Sequence, residues 1–281
     1  MIESSGTFTF DENLTVFRMG FGALRITGDL GWGLPKDKNK SIAVLKKCMD
    51  LGINFIDTAD SYGPHVSEDL IAETLHPYSK ELLIATKGGY LRPSPTEWVI
   101  NGRPKHLEQA LKGSLKRLKM DQIDLYQLHR FDADVPMDET LGMLKELQDQ
   151  EYIRHLGLSE VNVEQLEKAS QIISVKSVQN RYSLTYRKSE EVLEWCESNN
   201  AAFIPWYPLD AGALDNQHLQ DIARHRGVSI FQIALAWLLQ HSLNILPIPG
   251  TSSVNHLHEN VAASAIRLSE EEMEILNNLN V

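Results

Sequence analysis

With 281 residues, 42% apolar and 23% charged, the chain suits one large α/β barrel or two smaller domains and is neither disordered nor fibrous. A net charge of −11 excludes the basic footprint of a nucleic-acid binder, and no apolar run reaches the roughly eighteen residues of a membrane span. The opening MIESSGTFTF lacks the basic-then-apolar order of a secretory leader. Cys48 and Cys196 fall in helix-like segments without metal-ligand spacing. They read as reduced, buried thiols of a cytoplasmic protein with no metal centre.

The first elements differ from the rest. Residues 7–10 and 14–17 alternate apolar and polar around Asp11-Glu12-Asn13, a β-hairpin pattern placed to plug the bottom of a barrel. Residues 19–23 read as a first core strand ending in small residues. Strand and helix then alternate. Helices are expected at 41–51, with Ser41 as cap and Ile42, Leu45 and Met49 on one face, and at 65–75, stopped by Pro77. The run Lys36-Asp37-Lys38-Asn39-Lys40 reads as a solvated loop. Strands are expected at 53–56, 82–86, 123–128, 153–158, 177–180, 202–206 and 244–248. Between and after them, helices are expected at 107–118, 137–150, 163–173, 189–199, 219–226, 230–240, 254–263 and 270–279, the last capped by Ser269 with Glu270, Glu271 and Glu272 in its first turn.

The strands are mostly continuous apolar runs, as buried parallel strands should be. No Pro/Gly/Ser-rich linker divides the chain, so residues 1–281 read as one domain. The expected fold is α/β, a (β/α)8 TIM barrel with an N-terminal β-hairpin and additional C-terminal helices. An open doubly wound sheet competes. It would place a G-x-G-x-x-G fingerprint after the first strand, and Gly20-Phe21-Gly22 lacks the third glycine.

Asp57, Lys87 and His129 each follow an apolar strand, and Tyr62 lies on the loop after Asp57. In a barrel these loops share one face. A phenol with a pKa near 10 is a poor acid at neutral pH. A neighbouring ammonium stabilises the phenolate, so Lys87 is expected to lower the pKa of Tyr62, with Asp57 keeping the ammonium charged. His129 can hydrogen-bond a carbonyl oxygen. Singly, such residues are ordinary turn, cap or solvated groups; their shared rim is what singles them out.

The motifs DTADSYG, ATKGG, DLYQLHR, HLGLSEV, VQNRYS and IPGTSSVNHLHEN, in this order, resemble the aldo-keto reductase superfamily over residues 19–263. The stretches DSYGPHVSEDLIAETLHPYS and ALAWLLQHSLNILPIPGTSSVNHLHENVAA are especially similar to bacterial pyridoxal-reductase-like members. The resemblance implies NAD(P)H-dependent reduction of an aldehyde or ketone, with pyridoxal as a candidate. Tyr62 would be the general acid, Lys87 and Asp57 its tuning pair, and His129 the group orienting the carbonyl. NADPH is the implied cofactor, with NADH an alternative. Ser159 and Gln179 would hold the carboxamide, Trp206 would stack on the nicotinamide, and Leu209 would lie along the cofactor. Gly22 and Ala23 would leave room for it. Gly250, Thr251, Ser252 and Ser253 would bind phosphate at a helix N-terminus, with His256 near the 2′-phosphate and Glu259 and Asn260 at the adenine.

Two departures stand out. Glu160 occupies a position where the family usually has asparagine, which alters one carboxamide contact or leaves it to Asn162. No Arg or Lys lies between Pro249 and Asn260, and histidines such as His256 and His258 are only partly charged at pH 7. Gly31-Trp32-Gly33, Tyr90-Leu91-Arg92 and Trp98 are candidates for a substrate wall, although Trp32 and Trp98 equally suit packing. The expected partner is a small-molecule carbonyl substrate, with no nucleic acid or membrane, for a monomer or weak homo-oligomer. The residues also leave open a Schiff-base lyase using Lys87, a non-catalytic or slow nicotinamide-sensing barrel, and a phosphate-binding isomerase.

Overall fold

The computed structural model describes residues 1–212, 214 and 216–279. A hairpin of β1 (Thr7–Asp11) and β2 (Leu14–Phe17) comes first. The barrel strands then appear in chain order: β3 (Phe21–Gly22), β4 (Phe55–Asp57), β5 (Leu83–Gly88), β8 (Ile123–Leu128), β9 (Ile153–Ser159), β10 (Val175–Gln179) and β11 (Ala202–Phe203). All pair in parallel, in the order β11-β10-β9-β8-β5-β4-β3. The extended segment 244–248 closes the ring. Asn244 O accepts from Phe203 N at 2.8 Å, Leu246 N donates to Phe203 O at 2.8 Å, and Gly20 N donates to Pro247 O at 3.0 Å. This is the (β/α)8 barrel that the alternation of strand and helix implied.

Helices α1 (Lys38–Asp50), α2 (Val66–Leu75), α3 (Pro104–Leu118), α4 (Met137–Asp149), α5 (Val163–Ala169), α6 (Glu190–Ser198), α7 (Gln217–Arg226) and α8 (Ile230–His241) follow the strands. The chain continues through α9 (Val254–Ala262) and α10 (Glu270–Asn277). In α3, Pro104 occupies the first turn, and Leu107, Leu111, Leu115 and Leu118 form the buried stripe, recurring every three or four residues. Ser229 and Gln232 form a capping box on α8, whose residues 233–239 are all buried. Two cores result. Phe8, Phe10, Leu14 and Val16 of the hairpin fill the barrel interior with Phe55, Leu83, Leu125 and Leu246. The larger core lies between strands and helices.

Several boundaries differ from expectation. The cap of α1 is Asp37, whose carboxylate accepts from Lys40 N at 3.2 Å, so residues 38–40 are helical rather than loop. Ser41 instead donates to Ile26 O at 2.9 Å, and the buried face is Ser41, Val44, Leu45 and Cys48, with Ile42 and Met49 at its margins. Helix α5 stops at Ala169, four residues early, in a series of turns. The strand expected at 202–206 pairs as a ladder only through Phe203, with Trp206 joined to Arg181 by an isolated bridge.

A second hairpin had no clear sequence signal. β6 (Tyr90–Ser94) and β7 (Glu97–Ile100) pair antiparallel over the mouth, between β5 and α3. Its burial does not alternate cleanly because no core lies beneath it. Among the described residues no helix is long and apolar enough to cross a membrane.

Candidate active site

Asp57 ends β4, while Lys87 stands one residue before the end of β5. The side chain of Lys87 is wholly buried, and its Nζ donates to Asp57 Oδ1 at 2.6 Å and to Thr58 O at 2.8 Å. The Tyr62 hydroxyl lies 3.4 Å from the same Nζ. Asp57 Oδ2 accepts from Gln127 Nε2 and Gln179 Nε2, both at 3.1 Å. The carboxylate is thus committed on both oxygens, which fixes the lysine against the phenol.

His129 follows β8 directly, where its backbone N–H still pairs with Gly88 O at 2.9 Å. Its Nδ1 lies 3.4 Å from Ser61 Oγ, and its ring meets Tyr62 edge-on with centroids 6.1 Å apart. Burial holds the imidazole pKa well below 6.5, and the positive charges of Lys87, Arg130 and Arg92 add to this. The ring is therefore neutral at pH 7.

The expected lowering of the Tyr62 pKa is overturned. Burial of the phenol raises it, and this outweighs the opposing charge of Lys87. For Lys87 itself, burial works against the ammonium, but the Asp57 carboxylate and Tyr62 raise the pKa above that of free lysine. The pair therefore holds a fully protonated phenol against a fully charged ammonium. That arrangement can release a proton once charge develops nearby and the ammonium is left to stabilise the phenolate.

One cleft collects Gly22, Ala23, Asp57, Tyr62 and His129 with Ser159, Gln179, Trp206, Leu209 and Gly250. Lys87 stands behind it. Gly22 and Gly250 have a packing reason as well: a Cβ on Gly22 would stand 2.6 Å from Ile248 O, and one on Gly250 2.8 Å from Gly22 O. They let the first strand and the closing segment meet. Ser159 Oγ donates to Gln179 O at 2.8 Å and accepts from Arg130 Nη1 at 2.8 Å.

The loop at 250–253 continues from the rim of the cleft. Ser253 N donates to Thr251 Oγ1 at 3.0 Å, and Ser253 Oγ caps α9 by accepting from His256 N at 3.4 Å. Ser252, His256, His258 and Glu259 are exposed, whereas Asn260 is turned inward beside Leu257 and Val261. Glu259 and Asn260 thus lie on different faces of α9.

Asn162 plays no part in the cleft. It caps α5, accepting from Gln165 N at 2.8 Å. Glu160 turns to Trp206, accepting from the indole Nε1 at 2.6 Å. Of the wall candidates, Tyr90 and Trp98 line the cleft. Arg92 is buried behind them, 3.6 Å from the Trp98 ring centroid and 5.4 Å from that of Trp32, donating to Pro95 O at 3.0 Å. Trp32 supports Arg92 and Leu91 points outward.

The residue-by-residue reading missed Arg25, Arg130 and Tyr207, all in the cleft lining. Arg25 is exposed and forms no ion pair with any described residue, and its Cγ lies 3.4 Å from where a Gly250 Cβ would stand. Residue 25 lies far from 249–260 in the sequence, and only barrel closure brings it to residue 250.

The aldo/keto reductase family model matches residues 18–281. An uncharacterized oxidoreductase of Schizosaccharomyces pombe is 52% identical over 92% of this chain and 85% of its own length. Pyridoxine 4-dehydrogenase of Escherichia coli is 38% identical over 99% of both chains. Among solved structures, an aldo-keto reductase of Klebsiella pneumoniae in complex with NADPH superposes with a TM-score of 0.80 at 26% identity, covering 97% of this chain and 94% of that one. With the barrel and the cleft in place, these matches make the chain a member of the aldo/keto reductase family and an oxidoreductase.

Proposed function

We propose that this protein reduces an aldehyde, with pyridoxal as the leading candidate, using NADPH, and that Tyr62 is its proton donor. The observation that carries the reading is Lys87 Nζ, buried behind the cleft and set between Asp57 Oδ1 at 2.6 Å and the hydroxyl of cleft-lining Tyr62 at 3.4 Å. When bound, the nicotinamide supplies the hydride that the carbonyl carbon receives. Tyr62 gives its proton to the carbonyl oxygen, so that aldehyde, hydride and proton become the alcohol. The ammonium of Lys87, anchored by Asp57, stabilises the phenolate left behind. Neutral His129, whose Nδ1 lies 3.4 Å from Ser61 Oγ, orients the same oxygen by a hydrogen bond from Nε2–H and keeps its own proton.

The residues of the cleft fit a dinucleotide. Trp206 supplies an aromatic wall, with Ser159 and Gln179 at strand ends beside it. The N–H groups of Thr251 and Ser252 donate to no acceptor among the described residues, and they precede the N-terminus of α9. Arg25 adds a full positive charge beside that loop, which supports NADPH more strongly than His256 does alone. The NADPH complex of the Klebsiella relative supports the same choice, and the pyridoxine 4-dehydrogenase likeness supports pyridoxal.

Residues 1–281 are proposed to work as one domain. Cys48 and Cys196 are free and buried, with pKa values raised by burial, which suits a reducing cytoplasm.

The test is steady-state oxidation of NADPH, then NADH, across pyridoxal, other aldehydes and ketones. Turnover of pyridoxal with NADPH ahead of NADH is expected. Tight cofactor binding with no turnover of any carbonyl would instead favour a slow nicotinamide-sensing barrel.

A further inference from the structure

Glu160 follows β9 at φ 55°, in the left-handed region that a side-chain-bearing residue holds only where its surroundings keep it there. One of its oxygens does two things. Oε1 accepts from Trp206 Nε1 at 2.6 Å and from the backbone N of Arg181 at 2.7 Å. The residue's own N–H donates to Gln179 O at 3.1 Å. A single carboxylate oxygen thereby ties together the chain after β9, the chain after β10 and the indole after β11.

Past Trp206 the chain makes a tight turn. Asp210 N donates to Tyr207 O at 2.9 Å, and both residues have positive φ, 54° and 46° for Tyr207 and Asp210. Arg181 holds that turn, its Nη2 donating to Asp210 Oδ1 at 2.9 Å, while Asp210 also accepts from Ser183 Oγ at 3.1 Å and from Thr185. Trp206 and Tyr207 both line the cleft, with ring centroids 4.8 Å apart. Trp206 is only partly buried, so neighbouring side chains do not fix its ring by packing alone. The bond from its indole N–H to the exposed Glu160 carboxylate adds a polar tether.

We propose that Glu160 is a positioning residue of the reaction: it fixes the tilt of the Trp206 indole and so the width of the slot that receives the nicotinamide. An indole has one polar atom, so one short bond to a fixed carboxylate sets its rotation. Glu160 itself is pinned by the Arg181 N–H and by its own backbone bond to Gln179. The inference rests on the nicotinamide reading of the cleft and adds to it a residue outside the cleft lining.

The test compares Glu160→Ala, Glu160→Gln, Trp206→Phe and the Glu160→Ala/Trp206→Phe pair. Each is assayed for kcat/KM with NADPH and for the isotope effect with NADPH deuterated at the transferred position, with Tm as the check on folding. Glu160→Ala is expected to lower kcat/KM about tenfold, the scale of losing a hydrogen bond to a charged group, and to enlarge the isotope effect while Tm stays near wild type. Glu160→Gln, whose amide oxygen still accepts, stays within about threefold of wild type. The double variant is no worse than Trp206→Phe, because both changes remove the same contact.

A wild-type isotope effect in Glu160→Ala, or additive losses in the pair, overturns the positioning role. Should Glu160→Ala not fold, Glu160→Asp takes its place, since its shorter carboxylate cannot hold both the Trp206 indole and the Arg181 N–H, and the same isotope-effect outcomes support or overturn the role. If wild-type protein neither binds nor oxidises NADPH or NADH, the nicotinamide reading itself fails. Normal wild-type turnover with no change in kcat/KM or isotope effect on Glu160→Ala sinks only the positioning role.

Discussion

The floor and the mouth of the barrel each carry a hairpin, and the two are built by different physics. On the floor, β1 buries every second residue into the barrel interior, Phe8 and Phe10 among them. Its tip is tied by charge: Asp11 takes a bidentate pair from Arg154 at 2.7 and 2.9 Å and a bond from His155 at 2.6 Å. Arg154 and His155 open β9, so these contacts lie at the N-terminal ends of the strands. At the mouth, Trp98, Val99 and Ile100 of β7 are each 39% exposed, and the hairpin stands on the Arg92–Trp98 stack. Buried charge differs in the same way. Asp11 is in reach of water, whereas Lys87 and Asp57 are almost wholly buried and aimed at one phenol. Floor contacts therefore stabilise; mouth contacts position chemistry.

The largest expected effect lies at the mouth. Tyr62→Phe removes the proposed acid and should lower kcat about 100- to 10,000-fold while NADPH affinity and Tm hold. Normal turnover in this variant would refute the acid role. The next largest lies on the floor. Phe10→Ala opens a cavity in the barrel interior and should cost about 3–5 kcal/mol in denaturant unfolding, with kcat of the remaining folded enzyme unchanged. A fall in kcat with intact stability would erase the distinction.

Trp98→Ala tests the mouth hairpin more gently. It should raise KM for an aromatic aldehyde about tenfold, the scale of one stacking contact, with little change in Tm. A large loss of Tm would make the upper hairpin a stabilising element like the lower one.

The smallest effect is the acid response of the floor. Burial raises the Asp11 carboxyl pKa, but the Asn13 N–H, His155 and Arg154 together bring it below its ordinary value. A depressed folded pKa means stability that is present above the unfolded value near 4 and lost as the pH falls through the folded one. Asp11→Asn should flatten that acid limb and cost under about 1 kcal/mol at pH 7. An unchanged acid limb, measured by urea unfolding between pH 3 and 7 (a range on the order of the carboxylate titration), would remove Asp11 from the floor's support.

The lower hairpin was legible because burial against a core imposes a period of two on its residues. The upper hairpin was not, because its strands rest on a cation–π stack and open cleft that impose no period. Ser41 misled for a related reason: a hydroxyl near a helix start suits a cap, but Asp37 lay closer to the true first turn and Ser41 found Ile26 O instead. β11 likewise ladders only through Phe203, with Trp206 meeting Arg181 by an isolated bridge, a pairing that depends on the neighbouring strand and not on the local sequence.

The sequence by itself determined the alternation of strand and helix, the strand ends that carry Asp57, Lys87 and His129, and the motifs that mark the family. Periodicity and strand termini are local properties, so a chain can display them before it folds. Only the tertiary structure decided three other matters. Burial around Tyr62 reversed the expected direction of its pKa. Barrel closure brought Arg25 to Gly250. The rim brought Glu160 to the Trp206 indole. Each depends on groups far apart in the chain meeting at one place, and on how much water is left there.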